Sequence, residues 1–240
     1  IYQCDWSSDV CSSDLFTALK RYLGLIEAIT TQDQGKEKLD PSLKRLQADG
    51  VIAKFEWTGN EQIPTQLAVE KGTRKVTGNG VMCKITTIPR GTKSQGWLGH
   101  PGSKGYVVQA DFMANQVDVG ADADKNSKLP DFGVNNQRYR LAQLGAAQQL
   151  KLYSWFPHDQ KSHEVPFAWQ AEEWYTLKLV VTVEERDGQT VSVCRGKAWK
   201  KSDPEPKDWS IEWTDSPPNL TGSPGLFGNA KDSEIFVDNV

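Results

Sequence analysis

Trp174–Lys201 reads WYTLKLVVTVEERDGQTVSVCRGKAWKK, two strand-like runs around the dipeptide Asp187-Gly188. Asp-Gly suits both central positions of a two-residue type I′ turn, which needs positive φ twice. A turn there sets the register. Arg186 faces Gln189, Val181 faces Cys194, Leu179 faces Gly196 and Leu177 faces Ala198. Side chains alternate along a strand, so Tyr175, Leu177, Leu179, Val181 and Val183 share one face with the small residues Ser192, Cys194, Gly196 and Ala198. The other face carries Thr176, Lys178, Thr182, Glu184, Arg195, Lys197 and Trp199. One side is dry and one is wet, as in a half-buried antiparallel hairpin. A slip of one residue would exchange the two sets, so the register is strongly specified.

Outward from this hairpin the pattern stays β. Strands are expected at Val81–Thr87, Tyr106–Ala114, Trp209–Trp213, Gly225–Gly228 and Glu234–Val240. Arg138–Leu144 and Gln148–Trp155 read as a second hairpin. With Gly145-Ala146 as a type II′ turn, Leu141 faces Leu150 and Tyr139 faces Leu152. About ten short strands without intervening helices point to a two-sheet antiparallel sandwich. Upstream, Phe16, Leu19, Leu23 and Ile26 have helical spacing, and Asp40-Pro41 is a helix start signal. Cys4–Leu15, CDWSSDVCSSDL, resembles the in-frame translation of a sequencing-library adapter and is set aside from the fold. The expected organisation is residues 1–15 as that artefact, 16–54 as a partly helical linker or remnant of an upstream domain, and 55–240 as the sandwich.

The 240 residues carry a formal net charge of −3. Setting aside Asp5, Asp9 and Asp14 lowers the acidic count from 31 to 28, equal to the 28 basic residues. That balance, with no recognition helix, argues against a nucleic-acid partner. No run approaches the roughly 18 apolar residues of a membrane span. Outside the adapter-like segment only Cys83 and Cys194 remain, both in strand-like runs, which suits buried free thiols.

The run from Gly96 onward contains GWLGHPGSKGYVVQADFMA, LPDFGVNNQRYRLAQLGAAQQLKLYSW, FAWQAEEWYTLKL, RGKAW, DPEPKDW and GSPGLFGNAKDSEIFVDNV in order. Over about 145 residues it resembles the C-terminal laminin-G-like, concanavalin A-like domain of large secreted bacterial proteins with a PQQ-binding-like β-propeller upstream. The resemblance implies a jelly-roll sandwich and an accessory, non-catalytic role outside the cytoplasm: periplasmic, outer-membrane-associated or secreted. It assigns no ligand and no cofactor. The upstream propeller lies outside this sequence.

Placed in one sheet, the wet faces of the two hairpins would join Arg138, Arg140, Tyr153, Trp155, Lys197 and Trp199 into a binding face. Flat aromatic rings stack on the apolar faces of sugars, and arginine grips carboxylate or sulfate with a planar fork. The expected partner is a glycan or cell-envelope polysaccharide, with acidic sugars favoured. Lys178 opposite Lys197 is unfavourable unless an anion or a nearby carboxylate compensates. The plainer alternative is a solvated sheet face whose aromatic residues pack under loops, in a structural or protein-interaction module. A hydrolase of glycosides, of the 3-keto-disaccharide type, is a second alternative. It needs two facing carboxylates, and no Glu-x-Asp-x-Glu strand is present. Asp122, Asp124 and Asn126 begin like a calcium loop, but Ser127 and Gly133 occupy its required Gly and Glu places. Asp238, with Glu56 as partner, is the better candidate for a structural calcium; the alternative is that Asp238 and Asn239 bond nearby backbone. His100, His158 and His163 have no zinc spacing.

Overall fold

The computed structural model describes residues 51, 54–57, 67–71, 73–77, 80–84, 93–98, 101–115, 129–154, 161–230 and 233–240. Both expected helices and the adapter-like segment lie outside these residues. The sandwich belongs to a unit running from Ala53 to Val240. Its described strands are β1 (Leu67–Lys71), β2 (Thr73–Thr77), β3 (Gly80–Lys84), β4 (Lys93–Leu98), β5 (Val107–Ala114), β6 (Asp131–Asn136) and β7 (Tyr139–Leu144). They continue with β8 (Gln149–Ser154), β9 (Ser162–Pro166), β10 (Tyr175–Arg186), β11 (Gln189–Lys200), β12 (Ile211–Asp215), β13 (Gly225–Asn229) and β14 (Glu234–Asp238). No helix occurs among the described residues.

The strands form two seven-stranded antiparallel sheets. The front sheet runs β1-β4-β13-β6-β7-β8-β9, and the back sheet β12-β11-β10-β5-β14-β3-β2. The fold is an antiparallel jelly-roll sandwich of two sheets. The last two strands enter the interiors of both sheets: β13 lies between β4 and β6, and β14 between β3 and β5. Phe55 and Val240 exchange backbone hydrogen bonds of 2.8 and 3.0 Å.

The central hairpin forms in the expected register, from Arg186 opposite Gln189 to Tyr175 opposite Lys200. Asp187 and Gly188 have φ of 51° and 74°, as a type I′ turn requires. Tyr175, Leu177, Leu179, Val181, Cys194 and Ala198 are buried in the core. Burial pushes the Cys194 thiol well above its ordinary pKa, so this cysteine is an inert small core residue.

The second hairpin differs from expectation by two residues. Leu141 faces Leu152, Gln143 faces Leu150 and Leu144 faces Gln149, around a four-residue loop. Gly145 serves close packing instead of a two-residue turn: a Cβ there would run into the Leu129 carbonyl. Gln148 takes the left-handed conformation instead, with φ of 53°, and its Nε2 donates to the Gly145 carbonyl at 2.9 Å. A shift of two keeps every side chain on its face, so Tyr139, Leu141, Leu150 and Leu152 still enter the core.

β6 is a strand that its residues signal weakly, since FGVNN is poor in strong β formers. Its Gly133 is required by proximity, because a Cβ would meet the Leu141 carbonyl. Across the sandwich, Phe132 of β6 stacks on Phe112 of β5 at 5.0 Å and meets Trp169 edge-on at 5.0 Å. Such rings supply a large share of the apolar burial that holds two sheets together.

Candidate functional site

The two hairpins lie in opposite sheets, β7–β8 in the front and β10–β11 in the back. The single face expected from the sequence is therefore not formed: Arg140 and Tyr153 are separated by the whole core from Lys197 and Trp199. Alternation states which side of its own sheet a residue occupies, not which sheet its strand joins. Arg138 is also displaced. It sits exposed in the turn Gln137-Arg138 between β6 and β7, with φ of 71°, and not on a strand face. Trp155 lies outside the described residues.

On the outer face of the back sheet, Lys197 is 6% exposed. Its ammonium donates to Glu205 at 3.2 Å, to the Pro206 carbonyl at 2.6 Å and to the Lys207 carbonyl at 3.3 Å, and lies 4.6 Å from the Trp209 ring centroid. Lys178 does face Lys197, and Glu205 is the compensating carboxylate, 3.0 Å from the Lys178 ammonium. Hydrogen bonding from Lys178 holds the Glu205 carboxyl below its ordinary pKa; burial opposes this, and hydrogen bonding from Lys197 adds to it. Residues 201–210 thus seal this face. Trp199 stands half-buried opposite Thr176. Asp111 is equally committed: it accepts from Thr176 and Asn239, both at 2.6 Å, and pairs with Lys201 at 2.8 Å.

The outer face of the front sheet is different. Strand pairing sets Trp97, Gly225, Asn135, Arg140, Tyr153 and Ser162 in one row across β4, β13, β6, β7, β8 and β9. Only Arg140 and Tyr153 of this row were singled out from the sequence. Arg140 is 2% exposed, with its Cζ 3.8 Å from the Phe227 ring centroid. Its Nε donates to Asn135 Oδ1 at 2.7 Å and its Nη1 to the Tyr153 hydroxyl at 3.1 Å. Burial lowers the guanidinium pKa, Tyr153 opposes that shift, and arginine stays charged. Asn135 is also 2% exposed, and its Nδ2 has no hydrogen-bond partner. A buried donor left unmet costs about 1–3 kcal/mol. Gly225 brings the neighbouring ring close: a Cβ there would lie 2.7 Å from Trp97 Cε3 and 3.1 Å from Asn135 Nδ2. Trp97, Tyr153 and Lys151 are half-buried at the margins.

Asp238 and Glu56, the calcium candidates, each have another partner. Asp238 Oδ1 accepts the Trp57 N–H at 3.1 Å, and Glu56 is paired with Lys54. Asn239 binds the Asp111 side chain. No group of three or more His, Cys, Asp or Glu gathers among the described residues, whereas calcium takes six to eight oxygens. Carboxylate pairs give little more. Asp131 and Glu164, on the front sheet, are three strands apart, about 14 Å at the usual strand spacing. Asp111 and Asp238 do face each other on the back sheet, but Asp111 has three donors on its two oxygens.

No known family profile and no curated protein matches the sequence. Solved structures do. The carbohydrate recognition domain of Emp46p in metal-free form is 9% identical, covering 73% of this chain and 87% of that one, with a TM-score of 0.38. A point mutant of the same domain is 10% identical, covering 84% and 91%, with a TM-score of 0.42. A protein of unknown function from Shewanella oneidensis MR-1 is 8% identical, covering 86% and 97%, with a TM-score of 0.38. Likeness this distant carries no argument about function. No described helix is long and apolar enough to cross a membrane.

Proposed function

We propose that this sandwich is a non-catalytic accessory domain that binds glycan on the outer face of its front sheet. One observation carries the reading: a half-buried indole, a guanidinium, a phenol and an unmet amide donor stand side by side in the row from Trp97 to Tyr153. Sugars need that combination, since rings take their apolar faces and amides and guanidinium groups take their hydroxyl and acid oxygens. The reading moves the expected face from both hairpins to one sheet and replaces Lys197 and Trp199 with Asn135 and Trp97. From the sequence resemblance, the domain serves an extracytoplasmic bacterial protein beside a PQQ-binding-like β-propeller, docking it on cell-envelope polysaccharide.

A structural or protein-interaction module is the second reading. The near-complete burial of Arg140 and Asn135 favours it. Calorimetric titration of the chain with a panel of neutral and acidic polysaccharides separates the two. Saturable binding that weakens in Trp97→Ala and persists in Lys207→Ala is the expected result. Absence of binding across the panel, with the fold intact by circular dichroism, would leave the interaction module.

A further inference from the structure

The ligand class follows from the direction of the hydrogen bonds in the row, given the front-face reading above. Arg140 donates to its neighbours on both sides, so Asn135 Oδ1 and the Tyr153 oxygen both act as acceptors toward it. Each acceptance draws electron density from the group that accepts. The Asn135 amide N–H and the Tyr153 O–H are thereby made stronger donors. Asn135 Nδ2 has no acceptor although it is buried, and Trp97 lies beside it over Gly225. The missing partner is therefore an acceptor, next to an aromatic surface and backed by a guanidinium.

We propose that Trp97, Asn135, Arg140 and Tyr153 form a subsite for a sugar acid, whose carboxylate accepts from Asn135 Nδ2 while its ring lies on Trp97. A carboxylate meets this site better than a hydroxyl for two reasons. It offers only acceptors to a row that offers donors, and hydrogen bonds to an ionised oxygen are about twice as strong as neutral ones. Gly225 belongs to the recognition as well. Any side chain there would push Trp97 away from Asn135.

The test compares oligouronides containing galacturonate, glucuronate or mannuronate with their methyl esters, by calorimetry on the full chain. The ester keeps the sugar shape and removes the charge, so no mutation is needed for the first comparison. At least one acid should bind about tenfold tighter than its ester, with affinity falling as salt rises. Asn135→Asp keeps the shape of the amide and turns its donor into an anion. It should weaken binding of the acid about tenfold, to the level at which the unaltered chain binds the ester.

Equal binding of acid and ester would overturn the sugar-acid assignment and leave the glycan reading standing. So would binding confined to neutral polysaccharides. Full acid binding by Asn135→Asp would overturn the role given to that amide. A lack of binding by any saccharide would overturn this inference and the glycan reading together.

Discussion

Each sheet buries a cation in the face turned away from the core, and the two faces treat it in opposite ways. Lys197 on the back sheet is answered by Glu205 and two carbonyls from a loop only a few residues further along the chain. Arg140 on the front sheet is held by an amide, a phenol and a ring from three other strands, and the amide keeps one donor unmet. Both cations sit among aromatic residues, so composition does not tell them apart. What does is the supply of acceptors. On the back face a loop supplies the acceptors, and on the front face the Asn135 amide keeps its Nδ2 unmet.

Breaking that contrast is most direct at Arg140. Arg140→Ala strands the buried Asn135 Oδ1, at about 1–3 kcal/mol for a buried group left unsatisfied, and takes a bond from the half-buried Tyr153 hydroxyl. A loss of about 3 kcal/mol, or about 6–12 °C in thermal midpoint, is expected. Lys197→Ala should cost less, about 1–2 kcal/mol, because Glu205 keeps Lys178 and the freed carbonyls lie close to solvent. Calorimetry giving the reverse order would mean that the back face is the more tightly built of the two.

The smallest effect is expected at Glu205, whose side chain is 39% exposed and therefore screened. Glu205→Gln should cost at most about 1 kcal/mol at neutral pH. Its folded pKa lies below the ordinary value of 4.5. The stabilisation is then fully present above that value and is lost as pH falls through the folded pKa. Wild type and variant should converge in thermal midpoint as the solution is acidified below about pH 4.5. A gap that persists unchanged at about pH 2 would show that the loop closes by packing and not by charge.

The central hairpin was fully legible because its turn is written in two residues that fit one geometry. The turn between β6 and β7 is the counterexample. Gln137 and Arg138 have φ of 49° and 71°, the same doubly left-handed shape, in residues that give no local signal for it. Surrounding contacts hold them. The Gln137 N–H donates to the Tyr106 hydroxyl at 3.0 Å, and its Nε2 reaches the Leu220 carbonyl at 2.5 Å. β6 went unread for this reason, and with it Asn135. Gly145 misled in the other direction, because a glycine required by a neighbouring carbonyl looks the same in sequence as one required by a turn. Arg140 and Tyr153 were legible as outward-facing residues of a hairpin. Trp97 and Phe227 became their neighbours only through strands paired over long separations, which no local periodicity encodes.

The placement of β13 and β14 has a consequence for how the molecule is made. Each completes a sheet from the inside, so neither sheet is continuous until residues 225–238 are available. During synthesis, at about 5–20 residues per second, β4 and β6 wait seconds for the strand that joins them, as do β3 and β5. Until then the nascent chain presents four unpaired inner strand edges, each open to a neighbouring chain. The two long strands β10 and β11, closed by their own two-residue turn, pair before that gap is filled. A nascent chain arrested before Gly225 would hold a finished hairpin while both sheets are still split in two, with Arg140 made and Phe227 not yet laid against it.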